Sequence, residues 1–483
     1  MLQKDIEQAA QIASSVQPLP VIQDADIAKH LKDEQWGSAE FYARLVENDL
    51  CYHTTKKLWL RYSGGRWVED DKDFSMWEMT QTLLSHYTRV ASHEPDEKLA
   101  KMMFQMCGKH KSFSYQKGIE GFLRQRLGKS ASEFDNEPHL LNLRNGTFNL
   151  KTMRLQKHNP KDWLMQQANV VYDPNATCPE WTNFMKLVFE PTPDVLGYIQ
   201  SWVGTTLSGY VDADKMAFNY GGGSNGKGTF WMTLQGILGS YAITINPELV
   251  LIGRLNKEQE LAKLKGKRLA VVHDIAPGRR LDEGMIKVLI GGDEIVAREL
   301  YQNSSTFKPS HKLAVCANDR PTVRGTDTGI WRRIALIPFE QDFSYLARMG
   351  KLILKDRDAF RTQLIENEGS GILNWMITGW QRYCTEGLKA PDVIERETRA
   401  YRAENDVLGA FLHETIAERA SEKVLVKDLY ARYTEYCKSG NEHAVSNKAF
   451  VAELRKLKYD IREGHARKLY LYGYDFVENG GSW

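Results

Sequence analysis

Residues Met216–Thr229 read MAFNYGGGSNGKGT. A short apolar run leads into Gly221, Gly222, Gly223, Ser224, Asn225, Gly226 and Lys227. Gly228 and Thr229 follow, then an apolar helical pattern through Phe230, Trp231, Leu234, Ile237 and Leu238. In such a loop the glycines let backbone N–H groups turn inward around phosphates. A helix N-terminus adds the positive end of its dipole, and Lys227 adds a full charge for the β- and γ-phosphates. Gly228 stands where Ser or Thr is usual, so either Thr229 or a water completes a magnesium shell. A glycine-rich turn without nucleotide is the plain alternative; the strand–loop–helix order and the lysine weigh against it.

A loop of this kind needs a carboxylate at the end of a neighbouring strand to hold magnesium. KRLAVVHDI, residues 267–275, has the pattern of a buried strand and ends at His273 and Asp274, which makes Asp274 the metal-site candidate with Thr229. His273 orients water or simply packs. A second apolar strand, His311–Ala317, ends at Asn318, a polar group placed to sense a γ-phosphate and position water. Further on, Gly329-Ile330-Trp331 precedes Arg332 and Arg333 at the start of a last strand. An arginine there can reach the ATP of a neighbouring subunit and stabilise transition-state charge, although an ordinary surface salt bridge is the alternative for an isolated pair.

The rest of the chain must position these groups. Its 483 residues exceed one core, and about 150 residues per domain suggests roughly three. With 26% charged and 42% hydrophobic residues the balance is that of a soluble globular protein, and a net charge of +2 excludes a global field that would draw it onto DNA. Cys51, Cys107, Cys178, Cys316, Cys384 and Cys437 are scattered without CxxC spacing, which argues against a zinc ribbon and fits a reducing cytoplasm. No apolar run approaches the ~20 residues that cross a bilayer, and the polar N-terminus is unlike a secretory signal, so no membrane partner is expected. Residues 1–40 read as polar helix broken near Pro18 and Pro20. LWLRYSGGRWV (58–68) reads as a hairpin about Gly64 and Gly65, and helices are expected from Phe74 to Leu127. Short strands with a turn at Asn145-Gly146 follow, and the turn-rich DPNATCP (173–179) is a plausible boundary. Residues 345–418 read as helical.

The series of lysine, acid, hairpin, asparagine and arginine resembles a superfamily 3 helicase. The wording GSNGKGTF, GRRLDEGMIKVLIGGD, SHKLAVCAND, RGTDTGIWRRIALIPF and GILNWMITG is similar to the phage/plasmid primase family, whose C-terminal half is related to poxvirus-type primase-helicases. The resemblance covers roughly Asp49 to Phe476. It implies an AAA+-like parallel sheet, a ring that is commonly a hexamer, and ATP with Mg2+ bound between subunits. It also implies translocation on single-stranded DNA at a fork. Motif by motif, Lys227 is then the phosphate lysine, Asp274 the metal-site acid and Asn318 the sensor. Arg332, ahead of Arg333, is the finger supplied in trans. Asp293–Lys312 holds the central-channel hairpin, with Arg298, Lys308, His311 and Lys312 as possible DNA contacts. Many relatives carry further carboxylates beside the metal acid, where this chain has Ile275-Ala276-Pro277, so either hydrolysis is slow or Asp293 or Glu294 activates water. The first 180 residues lack a convincing set of paired carboxylates and histidine for nucleotide polymerisation. A helicase without its own primase domain is expected, together with a separate primase or replication-initiator partner.

At the other end, Val426, Leu429, Tyr430, Tyr433 and Cys437 keep helical spacing, and Ser446 caps a second helix with Phe450 and Leu454. YDIREGHARKLYLYGYDF (459–476) reads as two strands, and helix, helix and hairpin suggest a winged helix. Lys448, Arg455 and Lys456 on its second helix, with Arg462, Arg467 and Lys468 on the wing, can meet phosphates; a protein-contacting face is equally open. The expected fold class is α/β. A small α+β collar-like domain (1–180) precedes the P-loop core (181–345), a helical segment (346–418) and a winged helix (419–483). The expected function is an ATP-dependent DNA helicase in replication of a phage, plasmid or mobile element. A DNA-stimulated ATPase that melts or marks an origin, or a nucleotide-binding scaffold ring, is the rival; a P-loop kinase is more distant.

Overall fold

The computed structural model describes residues 23–70, 75–298, 304–323, 328–351, 356–440 and 444–477. The chain divides into two compact units, one ending at Tyr172 and one beginning at Asp173. The division falls at the first residue of the turn-rich stretch, not at the expected 180.

The first unit is α+β. Helices Asp24–Lys32 and Glu34–Val46 precede β1 (Leu50–His53), β2 (Leu58–Ser63) and β3 (Arg66–Glu69). The β2–β3 turn is the two-residue Gly64-Gly65, with φ of +57° and +82°, the pair of left-handed positions that a tight hairpin needs. Helices Met76–Ser92, Glu97–Lys109 and Phe113–Arg126 follow, and Ser75 and Asp96 cap the first two. Their apolar faces bury Met79, Leu83, Tyr87, Met103, Ile119 and Leu123 against Phe41 and Leu50. β4 (Gly128–Lys129) joins the first sheet beside β1, giving the order β3-β2-β1-β4. β5 (Leu140–Leu143), β6 (Gly146–Asn149) and β7 (Arg154–Gln156) form a separate meander. There Leu143 pairs with Gly146, so the turn is Arg144-Asn145, one residue before its expected place.

The second unit is built on a parallel sheet. After helices Pro179–Val188 and Val195–Thr205 come β8 (Met216–Tyr220), the helix Lys227–Leu238, β9 (Ala242–Thr244) and β10 (Leu269–Ile275). The helix Glu283–Ile290 leads to an antiparallel hairpin of β11 (Ile295–Ala297) and β12 (Ser305–Phe307), then to β13 (Lys312–Ala317) and β14 (Ile334–Pro338). The sheet order is β14-β8-β13-β10-β9, all neighbours parallel. β13 and β14 are buried along their whole length, as expected for strands covered on both faces. Helices Phe343–Arg348, Arg357–Glu386 and Asp392–Glu404 follow.

The expected helical segment to 418 ends early. The helix Val407–Thr415 turns Leu408, Phe411 and Leu412 into a separate core with Leu429, Tyr433, Phe450 and Leu454. Next comes β15 (Ile416–Leu425), so the C-terminal module begins at Val407, not at 419. Helices Val426–Ser439 and Asn447–Lys456, β16 (Ile461–Glu463) and β17 (Leu469–Phe476) complete it, with sheet order β15-β17-β16. Ser446 caps its helix by accepting from the Ala449 N–H at 3.3 Å. No helix among the described residues is long and apolar enough to cross a membrane.

Candidate active site

β8 ends at Tyr220 and the next helix starts at Lys227, which leaves Gly221–Gly226 to make the turn. Gly221 has φ +143°, and a Cβ there would lie 2.2 Å from the Phe339 carbonyl oxygen; Gly226 has φ +87°, and its Cβ would lie 2.8 Å from Val188 Cγ2. Side chains are excluded at both positions by conformation and by space. Asn225, buried, donates from Nδ2 to the Phe339 carbonyl at 2.9 Å. The Ser224 carbonyl accepts from the Phe343 N–H at 2.8 Å. The loop is thus fastened to the segment after β14, while Gly222 and Gly223 stay on an open, exposed rim.

Lys227 is 8% exposed, and its Nζ donates to the carbonyls of Gly221 (2.6 Å) and Gly222 (3.2 Å) and to Asn318 Oδ1 (3.4 Å). Burial lowers its ammonium pKa, opposed by the charge of Asp274. A phosphate oxygen is a charged acceptor and binds such an ammonium more strongly than the neutral carbonyls that hold it here.

Asp274 owes its exposure to a bulge. Val272 pairs with Val315 and Ile275 with Ala317, so β10 spends two residues, His273 and Asp274, where β13 spends one. Asp274 takes φ +56°, a conformation that an Asp side chain tolerates better than most. Ile275 returns to the core, and the carboxylate points outward near enough for its charge to act on Lys227. His273 contacts Gln235 of the loop helix at 3.4 Å. Because β13 lies between β8 and β10, Asn318 at its end stands between the lysine and the acid. Thr229 is half-buried in the first turn of the loop helix, and a Cβ at Gly228 would meet nothing within 4 Å.

Among the described residues no group of three or more His, Cys, Asp or Glu is placed to hold a metal ion. Magnesium beside a nucleotide does not need one: one or two protein oxygens, phosphates and waters suffice, and Asp274 and Thr229 are oxygen donors of that kind. Asp293 and Glu294 are exposed before β11, and no contact among the described residues joins them to Lys227.

Arg332 and Arg333 lie at the opposite edge of the sheet. Ile334 pairs with Met216 and Pro338 with Tyr220, so the arginines precede the start of β14 while the glycine loop follows the end of β8. Five strand residues at ~3.3 Å each put roughly 17 Å between the two edges. Arg333 is 15% exposed and fixed, its Nε donating to Asp214 at 2.8 Å and its Nη1 to the Gly329 carbonyl at 3.1 Å. Arg332 is 66% exposed, with Asp214 at a loose 3.8 Å.

Two of the expected DNA contacts are corrected. His311 and Lys312 stand at the buried start of β13, not on the hairpin face. His311 is wholly buried, and burial, then the Lys312 charge, pushes its pKa down to about 4. Lys312 is 4% exposed and donates to the Ser208 carbonyl at 2.5 Å, below the helix Val195–Thr205; burial first, then Arg268, pushes its pKa well below the usual lysine value. Arg298 and Lys308 are exposed beside the hairpin, while most of its expected tip, Gln302 and Asn303, lies outside the described residues. In the C-terminal module Lys448, Arg455, Arg467 and Lys468 are exposed and have no ion pair among the described residues. Lys456 reaches Glu453 at 3.5 Å and Arg462 reaches Asp460 at 2.6 Å. Sequence reasoning passed over Arg320, which follows Asn318 by two residues and donates to both Glu397 and Glu404. The only signal was a charged residue directly after a strand end.

Comparison with known proteins divides the chain in three. Residues 39–190 match a family described as D5 N terminal like, residues 219–333 a family of unknown function, and residues 403–468 a family described as Poxvirus D5 protein-like. A protein of Acanthamoeba polyphaga mimivirus named "Putative helicase L207/L206" is 23% identical over 430 residues, 80% of this chain and 44% of that one. The African swine fever virus protein "Putative primase C962R" is 25% identical over 375 residues, 73% of this chain and 38% of that one. The chain spans less than half the length of these relatives. A solved structure, "The A form apo structure of NrS-1 C terminal region-CTR", aligns with 88% of this chain and 95% of its own at 9% identity and a TM-score of 0.48. With D5-type matches on either side of the parallel-sheet core, and relatives bearing helicase and primase names, the chain is similar to D5-like proteins in its first unit and near its C-terminal end.

Proposed function

We propose that the chain is an ATP- and magnesium-dependent DNA helicase of the superfamily 3 type, an AAA+-like motor that works as a homo-hexameric ring on single-stranded and forked DNA. The observation that carries this reading is the meeting of Lys227, Asn318 and Asp274 at the ends of three adjacent parallel strands, around a loop in which Gly221 and Gly226 admit no side chain. Lys227 takes the β- and γ-phosphates. The Asn318 amide orients the attacking water, and Asp274 with Thr229 holds magnesium, which neutralises the phosphate oxygens when bound.

Arg332 supports the ring. At the far edge of its own sheet it serves only a neighbouring subunit's ATP, where it stabilises charge as the γ-phosphoryl transfers to water. Arg333, tied to Asp214, holds that corner in place. We read the C-terminal module as a winged helix whose Lys448, Arg455, Arg467 and Lys468 meet phosphates, and Arg298 and Lys308 as contacts of the hairpin with the strand in the channel.

A second reading has one observation in its favour: next to Asp274 stands the buried Ile275, not a second carboxylate. Slow hydrolysis would make the ring an origin-marking ATPase or a scaffold. ATP hydrolysis with and without single-stranded DNA, with Lys227→Ala as the blank, separates the two. Stimulation that the variant abolishes leads on to strand displacement. Nucleotide binding with no turnover above the blank removes the helicase.

A further inference from the structure

Arg320 sits two residues beyond Asn318 and spans two structural elements. Its Nη2 donates to Glu397 at 3.0 Å and its Nη1 to Glu404 at 3.0 Å, while the flat face of the guanidinium lies 4.3 Å from the ring of Tyr220. Tyr220 is the last residue of β8, directly before the glycine loop, and its hydroxyl also donates to Glu397, at 2.6 Å. Both acids lie on the helix Asp392–Glu404, seven residues apart and so on one face. That face is fastened to the same segment twice more. The Tyr401 hydroxyl donates to the Pro321 carbonyl, and the Val323 N–H donates to Asn405 Oδ1 at 2.8 Å. Thr398 accepts from the Leu336 N–H of β14 at 3.2 Å. The helix ends at Glu404, and the C-terminal module starts at Val407.

We infer that Arg320 is a positioning residue that couples the Asn318 end of the nucleotide site, through the helix Asp392–Glu404, to the C-terminal module. This rests on the reading of Gly221–Thr229 as a nucleotide loop. A planar fork suits the position: it holds two carboxylates along one edge while stacking on Tyr220, which the single ammonium of a lysine does not do. A nucleotide that draws Asn318 toward its γ-phosphate shifts a segment with three attachments to this helix and a fourth to Asn405 just past its end. A ligand moves an equilibrium only through differential contacts, and these hydrogen bonds are a contiguous physical link between the loop strand, the sensor end and the helix whose chain runs on into the module. In the reverse direction, DNA held by the module reaches Asn318 by the same route.

The test is amide hydrogen exchange of the full chain with magnesium and the non-hydrolysable analogue adenylyl imidodiphosphate. In the unaltered protein the analogue is expected to slow exchange by at least about threefold both in the glycine loop and across residues 392–415. In Arg320→Gln the protection stays in the loop and is lost from 392–415, with the dissociation constant for the analogue changed by less than about threefold. Arg320→Lys restores part of it. Glu404→Gln, at the exposed helix end, weakens it without threatening the fold. Full protection of 392–415 in both Arg320→Gln and Glu404→Gln overturns the inference, as does analogue binding that never reaches 392–415 in the unaltered protein. If Arg320→Gln does not fold, Arg320→Lys and Glu404→Gln decide it in the same way. Failure of the unaltered protein to bind the analogue sinks the nucleotide reading itself, and this coupling with it.

Discussion

If Arg332 acts on a neighbour's ATP, two inactive variants should rescue one another. Lys227→Ala removes the phosphate lysine, and Arg332→Ala removes the finger. An arginine finger contributes about 10³- to 10⁵-fold in turnover, equivalent to ~4–7 kcal/mol of barrier, so each variant alone should fall close to background. A working site then needs the loop of one subunit and the arginine of the next. In a one-to-one mixture that assembles at random, half the loops are intact, in the Arg332→Ala copies. Half of those face an intact arginine, supplied by a Lys227→Ala copy. About one quarter of wild-type turnover per site should return. The alternative, both residues serving one site within one chain, predicts no recovery, because every copy lacks one of them; the roughly 17 Å depth of the sheet stands against it. The assay is steady-state ATP hydrolysis across mixing ratios, with light scattering to show that mixed assemblies form. Mixed assemblies that stay inactive refute the placement of Arg332 in trans. Arg333→Ala is the internal contrast. It loses a 2.8 Å bond to Asp214 and a 3.1 Å bond to the Gly329 carbonyl from a 15% exposed side chain. It should destabilise the fold by about 2 kcal/mol, whereas Arg332→Ala should cost less than about 0.5 kcal/mol.

Gly228→Ser places a hydroxyl directly after Lys227, where a Cβ meets nothing within 4 Å. Thermal unfolding should show a gain of about 0.5 kcal/mol from helix propensity, and half-maximal activity should come at lower magnesium; an unchanged magnesium dependence would leave Thr229 as the sole hydroxyl donor. His311 is neutral in the fold, with its pKa pushed from 6.5 to about 4. The stability it contributes is therefore full above pH ~6.5 and lost as pH falls toward 4, about 3 kcal/mol in all; denaturant unfolding of His311→Leu should show a shallower decline over that window. Lys448→Gln and Arg467→Gln should each reduce the salt slope of DNA binding by roughly 0.9, while Lys312→Gln leaves the slope alone because its amine is buried; the opposite pattern would move the DNA surface.

What the sequence revealed, and what it hid, follows from the range of the interactions involved. Gly64-Gly65 and the strand–glycine–helix order around Lys227 are local signals, since a two-residue turn and a glycine loop between strand and helix specify their own backbone. Ser446, Phe450 and Leu454 were legible for the same reason. His311 and Lys312 were not. A basic pair at a strand start looks exposed until the carbonyl of Ser208, a hundred residues away in sequence, closes over it. β15 was hidden because IAERASEKVL is exposed over most of its length, and its pairing with β17 shifts register between Glu418 and Lys423, so no alternation marks it. Arg320 was invisible because its significance comes from Glu397 and Glu404, both far along the chain.

The entry to each of four sheet strands is marked by a cation facing inward. Lys215 before β8 donates to the Arg332 carbonyl, Arg268 before β10 to the Leu207 carbonyl, Lys312 at the start of β13 to the Ser208 carbonyl, and Arg333 before β14 to the Gly329 carbonyl. The opposite rim carries Gly221, Asp274 and Asn318. Sequence variants of this protein should therefore sort by height along the strand axis, without reference to residue type. Changes at the lower rim should deplete the amount of protein that accumulates in a cell, most of all at Arg268 and Lys312, whose loss leaves the buried carbonyls of Leu207 and Ser208 unpaired. Changes at the upper rim should leave abundance intact and silence the molecule. A deep scan that scored abundance and activity separately would trace the sheet as two bands, with Arg332 as the one lower-rim position expected in the upper band.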